Sequence, residues 1–209
     1  MKNKIKVLGI AALVAVIGLT VTACGGGGAK KSGLKTDGFF GALPAIFADN
    51  NLAEAAAREN YDVLKDKMKN VKSIKEAEKL AKELERAEQQ WDKKREELEA
   101  KLEAAQKAEF AKLNGKDVPY TVSEKFKEFK VNSLKVDETG NLQMSTSDVK
   151  KNMMGVTQFK FRALAKDGSV IIDHVNYGSE KVAISGSLRN EPEKWVDFEK
   201  IVFVDASEK

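Results

Sequence analysis

The spacing of apolar side chains changes character about halfway along the chain. From Asp49 to Leu113 there is no glycine or proline, and apolar residues recur at steps of three and four, the period of an amphipathic helix. From Val118 onward apolar and polar residues alternate, as they do in half-buried strands. The pattern predicts an α+β fold, with an N-terminal α-helical coiled-coil hairpin followed by a small antiparallel β-sandwich.

Two helices are predicted in the first part, because the helical pattern breaks at residues 70–73. Ser73 and Glu76 have the spacing of a capping box, so the second helix is expected to begin at Ile74. Its apolar stripe runs from Ile74 to Leu113, mostly in steps of three and four with a step of seven from Trp91 to Leu98, which is coiled-coil spacing. Asn114-Gly115 predicts the end of this helix. The first helix is predicted to bury the following residues: Leu52, Ala56, Leu64, Met68 and Val71.

The second predicted helix is about twice as long as the first, so its excess length needs a partner. That partner is the β domain, a second copy of the chain, or another protein. Trp91 is interpreted as a core residue against the first helix, with a partner-facing aromatic as the alternative. Lys94 and Arg95 lie in the adjacent charged run and complete a candidate protein-binding surface, although such runs are usually solvated.

The second part predicts six or seven short strands. Turns are expected at residues 138–141 and 166–169, the second with the Asp-Gly signal of a β-hairpin. The predicted strands lie in residues 127–136, 142–146, 157–164, 170–172, 181–188 and 195–204.

The N-terminus has the pattern of an export signal. Lys2, Lys4 and Lys6 precede the apolar stretch Val7–Thr20, which is short for a helix that spans a membrane. A membrane anchor helix is the less favoured alternative.

The residues that follow resemble a bacterial lipobox. Val21-Thr22-Ala23-Cys24 contains the only cysteine of the chain, at the one place where that motif needs it. The resemblance identifies the chain as a bacterial lipoprotein and implies cleavage before Cys24, followed by acylation of that residue with chains such as palmitate. Two or three acyl chains give stable anchoring in a membrane. Gly25 stands where an aspartate commonly signals inner-membrane retention, so the resemblance points to the outer membrane, with the face unknown.

The predicted domain organisation has four parts. Residues 1–23 are the signal peptide, and residues 24–48 are a lipidated flexible tether with an apolar strap at Gly38–Phe47. The strap is expected to pack on protein rather than on the membrane, and its glycines and proline predict that it is not a regular helix. Residues 49–114 form the helical part, and residues 115–209 form the β-sandwich domain.

Charge and composition exclude several classes of protein. One cysteine and one histidine rule out a disulfide framework and a metal site that needs several imidazoles. The net charge of +4 falls to +1 when the three leader lysines are removed, because 33 basic residues then face 32 acidic ones. Neither half carries the excess of basic residues expected of a nucleic-acid surface. The sequence therefore predicts no nucleic-acid partner and no cofactor.

Catalytic motifs are not found either. His174 follows an apolar strand and is more often structural than catalytic in such a setting. Tyr177 and Trp195 form a weak candidate surface for stacking on a ligand. The first hypothesis is a non-enzymatic envelope lipoprotein that acts as a scaffold or accessory binding protein through its coiled coil and β-sandwich. A lipoprotein that binds a glycan or peptide is the second, and a small hydrolase with an unfamiliar site is the third.

Overall fold

The computed structural model describes residues 31–146, 158–177 and 180–206. Two long helices come first and two β-sheets follow, so the chain has a mixed α/β fold, as predicted at this level. Helix α1 spans Leu43–Met68 and helix α2 spans Ile74–Leu113. No helix in these ranges combines the length and apolarity needed to cross a membrane.

Helix α1 begins earlier than predicted. The expectation that Gly38–Phe47 avoids regular helix is wrong from Leu43 onward. Pro44 lies in the first turn of α1, where a missing backbone N–H removes no intrahelical hydrogen bond, so proline is compatible with the helix there.

The buried face of α1 also differs from the predicted one. Leu52 is 39% exposed and Ala56 is exposed, so the predicted apolar face is wrong at both positions. A series of buried or half-buried positions instead recurs at alternating steps of four and three, which is a heptad spacing. These positions are Leu43, Phe47, Asn50, Glu54, Ala57, Tyr61, Leu64 and Met68.

Helix α2 begins and ends as predicted. The Ser73 hydroxyl oxygen accepts a hydrogen bond from the Glu76 backbone N–H at 3.3 Å, which caps the first turn. Ile74, however, is 82% exposed and lies outside any buried stripe. The two helices run antiparallel, since only residues 69–73 connect them and the chain before α1 meets the end of α2. There the Lys116 ammonium donates a hydrogen bond to the Phe39 carbonyl oxygen at 2.9 Å.

The described ranges contain seven strands, one further α-helix and two short 3₁₀ helices, Glu124–Phe126 and Pro192–Trp195. Strands β1, β7, β4 and β5 form one sheet in that order, and β2, β3 and β6 form the other. These elements are β1 (Tyr120–Val122), β2 (Val131–Val136), β3 (Leu142–Thr146), β4 (Gln158–Ala165), β5 (Val170–Tyr177), β6 (Lys181–Val182), α3 (Ser185–Asn190) and β7 (Phe198–Asp205).

The sheets are not wholly antiparallel, which corrects the predicted topology. Strand β1 pairs parallel with β7, with Tyr120 opposite Ile201, while the other pairings are antiparallel. The long stretch of chain between β1 and β7 permits this, because parallel neighbours need a long connection and cannot be joined by a tight turn. The predicted turn at residues 166–169 is confirmed, since it joins the antiparallel strands β4 and β5.

Two predicted strands near the C-terminus are wrong in part. Residues 185–188 belong to helix α3, because Ile184 and Leu188 are both fully buried and four residues apart, which suits a helical turn. Trp195 ends the 3₁₀ helix Pro192–Trp195, and the last strand begins only at Phe198.

One hydrophobic core joins the helices to the strands. Leu102, Phe110 and Leu113 from α2 belong to the same buried cluster as Phe40 and Phe161. The excess length of α2 therefore finds its partner in the β part of the same chain. Residues on both sides of the boundary predicted at residue 115 belong to this buried cluster.

Candidate functional site

The predicted lipidation site, Cys24, lies outside the described residues, as do residues 1–30 as a whole. Soon after Cys24 the chain contacts the fold: the Ser32 backbone N–H donates a hydrogen bond to the Asp49 carboxylate at 2.6 Å. Cys24 and Ser32 are eight positions apart, a stretch that spans at most about 28 Å when fully extended. An acyl anchor on Cys24 would therefore hold this end of the fold close to the membrane.

The strap at Gly38–Phe47 packs into the core, which is the interpretation that the sequence favoured over a membrane contact. The Phe40 ring lies 5.2 Å from the Trp195 ring and 5.1 Å from the Phe198 ring, in edge-to-face arrangements that aromatic pairs favour. A Cβ atom on Gly38 would lie 2.4 Å from the carbonyl oxygen of Val196. Only glycine permits this approach, so the strap is seated directly on the backbone of the C-terminal region.

The candidate ligand-binding aromatics are not brought together on an accessible surface. Trp195 is 0% exposed, and its indole N–H donates to the Ser187 hydroxyl oxygen at 3.0 Å. A ring without exposed surface cannot stack on a ligand, so the prediction for Trp195 is corrected to a core residue. Tyr177 ends strand β5, and its side chain lies outside the described part of the structure.

The candidate partner-binding residues lie on the middle of α2. Trp91 is half-buried and does not belong to the buried cluster, whereas Lys94 and Arg95 are exposed. Lys94 lies 3.0 Å from Glu97, and Arg95 lies 3.3 Å from Asp92. Both ion pairs lie within one helix and are exposed, so they contribute little stability and leave a mixed-charge surface open to solvent.

Among the described residues, the observed contacts of His174 include no carboxylate or hydroxyl group that could act with it in catalysis. It is exposed on β5, and its ring meets the buried Phe161 ring edge-to-face at 5.7 Å. The adjacent Asp173 pairs with Lys160 at 3.3 Å and with Arg162 at 3.0 Å. Across the described ranges, no group of three His, Cys, Asp or Glu side chains is arranged to hold a metal ion.

The turn between β2 and β3 is organised by Asp137. One carboxylate oxygen accepts hydrogen bonds from the Thr139 hydroxyl at 2.6 Å and from the backbone N–H groups of Thr139 and Asn141 at 2.9 and 3.0 Å. Burial alone would raise the pKa of Asp137, but these hydrogen bonds and the nearby Lys181 ammonium lower that pKa below 3.8. The Lys181 ammonium lies 3.4 Å from the other carboxylate oxygen of Asp137. Asp137 therefore stabilises the turn and is paired with a lysine.

Sequence reasoning missed one surface, at the end of the helix pair farthest from the predicted anchor. We call residues Leu64–Ala77 the tip. It comprises the last turns of α1, the connection and the first turn of α2. The tip contains five lysines against Asp66 and Glu76, a net charge of +3. The sequence does contain a signal for the tip, which is its local excess of lysine. That excess is not visible in the net charge of the whole helical part, where basic and acidic residues are nearly equal in number.

Comparison with known proteins adds no assignment. No protein-family model, curated protein or solved structure matches this chain.

Proposed function

We propose that the protein is a lipid-anchored lipoprotein of the bacterial cell envelope that acts as a non-enzymatic scaffold or accessory binding protein. The lipobox resemblance at Val21-Thr22-Ala23-Cys24 supports export and acylation. The paired helices support a role in protein contacts, since they extend well beyond the core. The resemblance also supports the outer membrane as the site of anchoring.

The observation that carries the proposal is the position of the two helix ends relative to the tether. The Ser32–Asp49 hydrogen bond and the contact of Lys116 with Phe39 place the tether beside the start of α1 and the end of α2. The 26 residues of α1 extend for about 40 Å from there at the helical rise per residue. The chain would thus be held at one end and would present the length of its helices to a partner.

We also propose that α1 and α2 form a coiled coil. The heptad series of α1 runs over its whole length, and Leu80, Leu84, Ala87 and Trp91 of α2 continue that spacing. The polar residues Asn50 and Glu54 occupy two of the heptad positions in α1 and share a hydrogen bond of 2.7 Å. Polar residues at such positions favour a defined pairing at some cost in stability.

The two sheets are proposed to form a sandwich-like β part. Phe161 and Phe203 of the four-stranded sheet belong to the same buried cluster as Leu134, Leu142 and Met144 of the three-stranded sheet. Two sheets that bury their inner faces in one core are the arrangement of a sandwich. In the proposed function this part is the rigid base that fixes the direction of the helices.

Site-specific photo-cross-linking in intact cells tests the scaffold function. A photo-reactive amino acid is placed at Lys94 or Gln90, which are exposed on α2. We expect an adduct of one defined mass that contains a single envelope protein, identified by mass spectrometry. The matched control places the same amino acid at Val170, which is 51% exposed on β5.

The outcomes separate the helices from the β part. An adduct that forms from the α2 positions and not from Val170 supports a scaffold that works through its helices. Absence of any adduct from both α2 positions, or an adduct from Val170 alone, contradicts it. Replacement of Trp91 by alanine in the photo-reactive α2 variants then shows whether that half-buried ring contributes to the contact, because the adduct yield falls if it does.

A further inference from the structure

The lysines of the tip are concentrated and, for the most part, have no carboxylate partner among the described residues. Lys65, Lys67, Lys72 and Lys75 are exposed and form no ion pair within those ranges, whereas Lys69 pairs with Asp66 at 2.7 Å. The mature chain has a net charge of +1 in total, so a tip of +3 leaves −2 for the rest. Positive potential is therefore concentrated at the end of the molecule farthest from the predicted anchor.

An apolar side chain projects from the middle of this charge. Ile74 is 82% exposed, which makes it the most exposed large hydrophobic residue of the described ranges. It directly follows the capping residue Ser73 and stands between Lys72 and Lys75 in sequence. Val63, in the last turns of α1, is 46% exposed. Helix α2 does not need an isoleucine at this place, because the cap comes from Ser73 and the Ile74 side chain is almost wholly in solvent.

We infer that the tip binds an anionic lipid surface, with lysines at the headgroups and Ile74 in the interfacial region. A lysine cluster is attracted to anionic lipids, and an exposed apolar residue gains free energy when it leaves water at the same surface. Charge alone would equally suit an acidic protein. The isolated Ile74 between two lysines favours a surface that is negative outside and apolar a few ångströms below.

The inference extends the proposed function and rests on it only for the nearness of a membrane. The short tether holds the base of the molecule beside the anchoring membrane, and the tip lies about 40 Å away along α1. A lipid contact at the tip would either lay the helices along the anchoring membrane or join them to a facing one. In both cases the binding chemistry is the same.

Vesicle binding tests the inference on the mature chain without acyl chains. Residues 24–209 carrying Cys24→Ser are mixed with vesicles of phosphatidylcholine alone or of phosphatidylcholine with phosphatidylglycerol, and binding is measured by co-sedimentation. We expect binding only to the vesicles with phosphatidylglycerol, weakening as salt is added, because salt screens exposed charges. The double variant Lys72→Gln/Lys75→Gln should lower the partition coefficient by about fivefold for each lysine.

Two further variants separate a lipid site from general charge attraction. Lys101→Gln/Lys107→Gln removes the same charge from exposed positions of α2 outside the tip and should change binding by less than about twofold. Ile74→Ser keeps the charge and should weaken binding several-fold. Since Ile74 is exposed, the melting temperature should not fall.

Several results would overturn the inference. The first is that the chain does not bind the vesicles with phosphatidylglycerol. The second is that the tip and control variants lose binding equally. The third is that Ile74→Ser binds as well as the unmodified chain. Binding to polyglutamate without binding to vesicles would also overturn it, in favour of an acidic protein partner. Failure here leaves acylation of Cys24 untouched, because the test protein carries no acyl chain, so the two proposals fail separately.

Discussion

Gly140 lies directly against the ring of Phe110. A Cβ atom on Gly140 would fall 2.1 Å from Cε1 of Phe110, and the backbone φ of Gly140 is +79°. The turn between β2 and β3 therefore packs on the last turns of α2 with no side chain between them. This contact is one of the places where the long helix packs on the β part, together with the buried residues Leu102 and Leu113.

Replacing Gly140 with alanine should destabilise the protein strongly. The left-handed backbone conformation costs a non-glycine residue about 1–2 kcal/mol, and the displaced Phe110 ring adds the cost of an overpacked core. We expect the free energy of unfolding, measured in urea, to fall by about 2–4 kcal/mol in total.

Gly168→Ala is the matched control for this change. Gly168 has a φ of +83° with no atom within 4 Å of a Cβ, so alanine there carries the backbone cost without the clash. In a Phe110→Ala background, Gly140→Ala should cost no more than the control. Equal losses for the two single glycine variants in the unmodified chain would show that the Phe110 contact is absent.

Gly38→Ala should loosen the strap. The added methyl group would meet the Val196 carbonyl oxygen, which is backbone and cannot rotate away. We expect the free energy of unfolding to fall by about 1–3 kcal/mol. Gly186→Ala in α3 meets nothing within 4 Å and should be neutral or stabilising by up to about 1 kcal/mol. A Gly38→Ala variant as stable as the Gly186→Ala variant would contradict the seating of the strap.

Asp137→Asn should remove a pH-dependent part of the stability. Because hydrogen bonds lower the pKa of folded Asp137 below 3.8, its contribution is present above that value and is lost as the pH falls through the folded pKa. Near neutral pH the variant should lose about 1–2 kcal/mol of unfolding free energy. In acid, below the folded pKa, the difference from the unmodified chain should vanish.

Urea unfolding at both pH values measures this effect, and Glu138→Gln is its control. Glu138 is adjacent and exposed, so its replacement should change the unfolding free energy by less than about 0.5 kcal/mol at either pH. A difference between Asp137→Asn and the unmodified chain that persists or grows in acid would refute the assigned role of the carboxylate.

The two tryptophans should respond differently to a quencher in solution. Trp195 is fully buried and Trp91 is half-buried. In Trp91→Phe the remaining fluorescence should be blue-shifted and resistant to acrylamide, and in Trp195→Phe it should be red-shifted and readily quenched. Similar quenching in the two variants would contradict the burial of Trp195 and would restore it as a candidate ligand contact.

Local signals in the sequence predicted the long helix well. The Ser73 cap, the absence of glycine and proline, and Asn114-Gly115 determine the bounds of α2 through contacts close in sequence. The start of α1 was mispredicted because Pro44 breaks a helix interior but suits a first turn, and the sequence does not say which applies.

Features that depend on distant parts of the chain could not be predicted. The parallel pairing of β1 with β7 joins residues about 80 positions apart, and no local pattern records such a pairing. Trp195 looked like a strand residue available to a ligand, yet its burial comes in part from Phe40 of the strap. The charge of the tip is hidden for a different reason, because residues 49–113 as a whole contain nearly equal numbers of basic and acidic residues.

Acylation of Cys24 is the property whose measurement tests the proposed function most directly. Cells that express the full chain are labelled with a radioactive or clickable fatty acid, and the protein is isolated and compared with Cys24→Ala. We predict that label enters the unmodified chain, which migrates at the size of a chain cut before Cys24. We predict that Cys24→Ala accumulates as an unlabelled, uncut precursor. Equal labelling of both chains, or no label in either, would contradict a lipid-anchored protein.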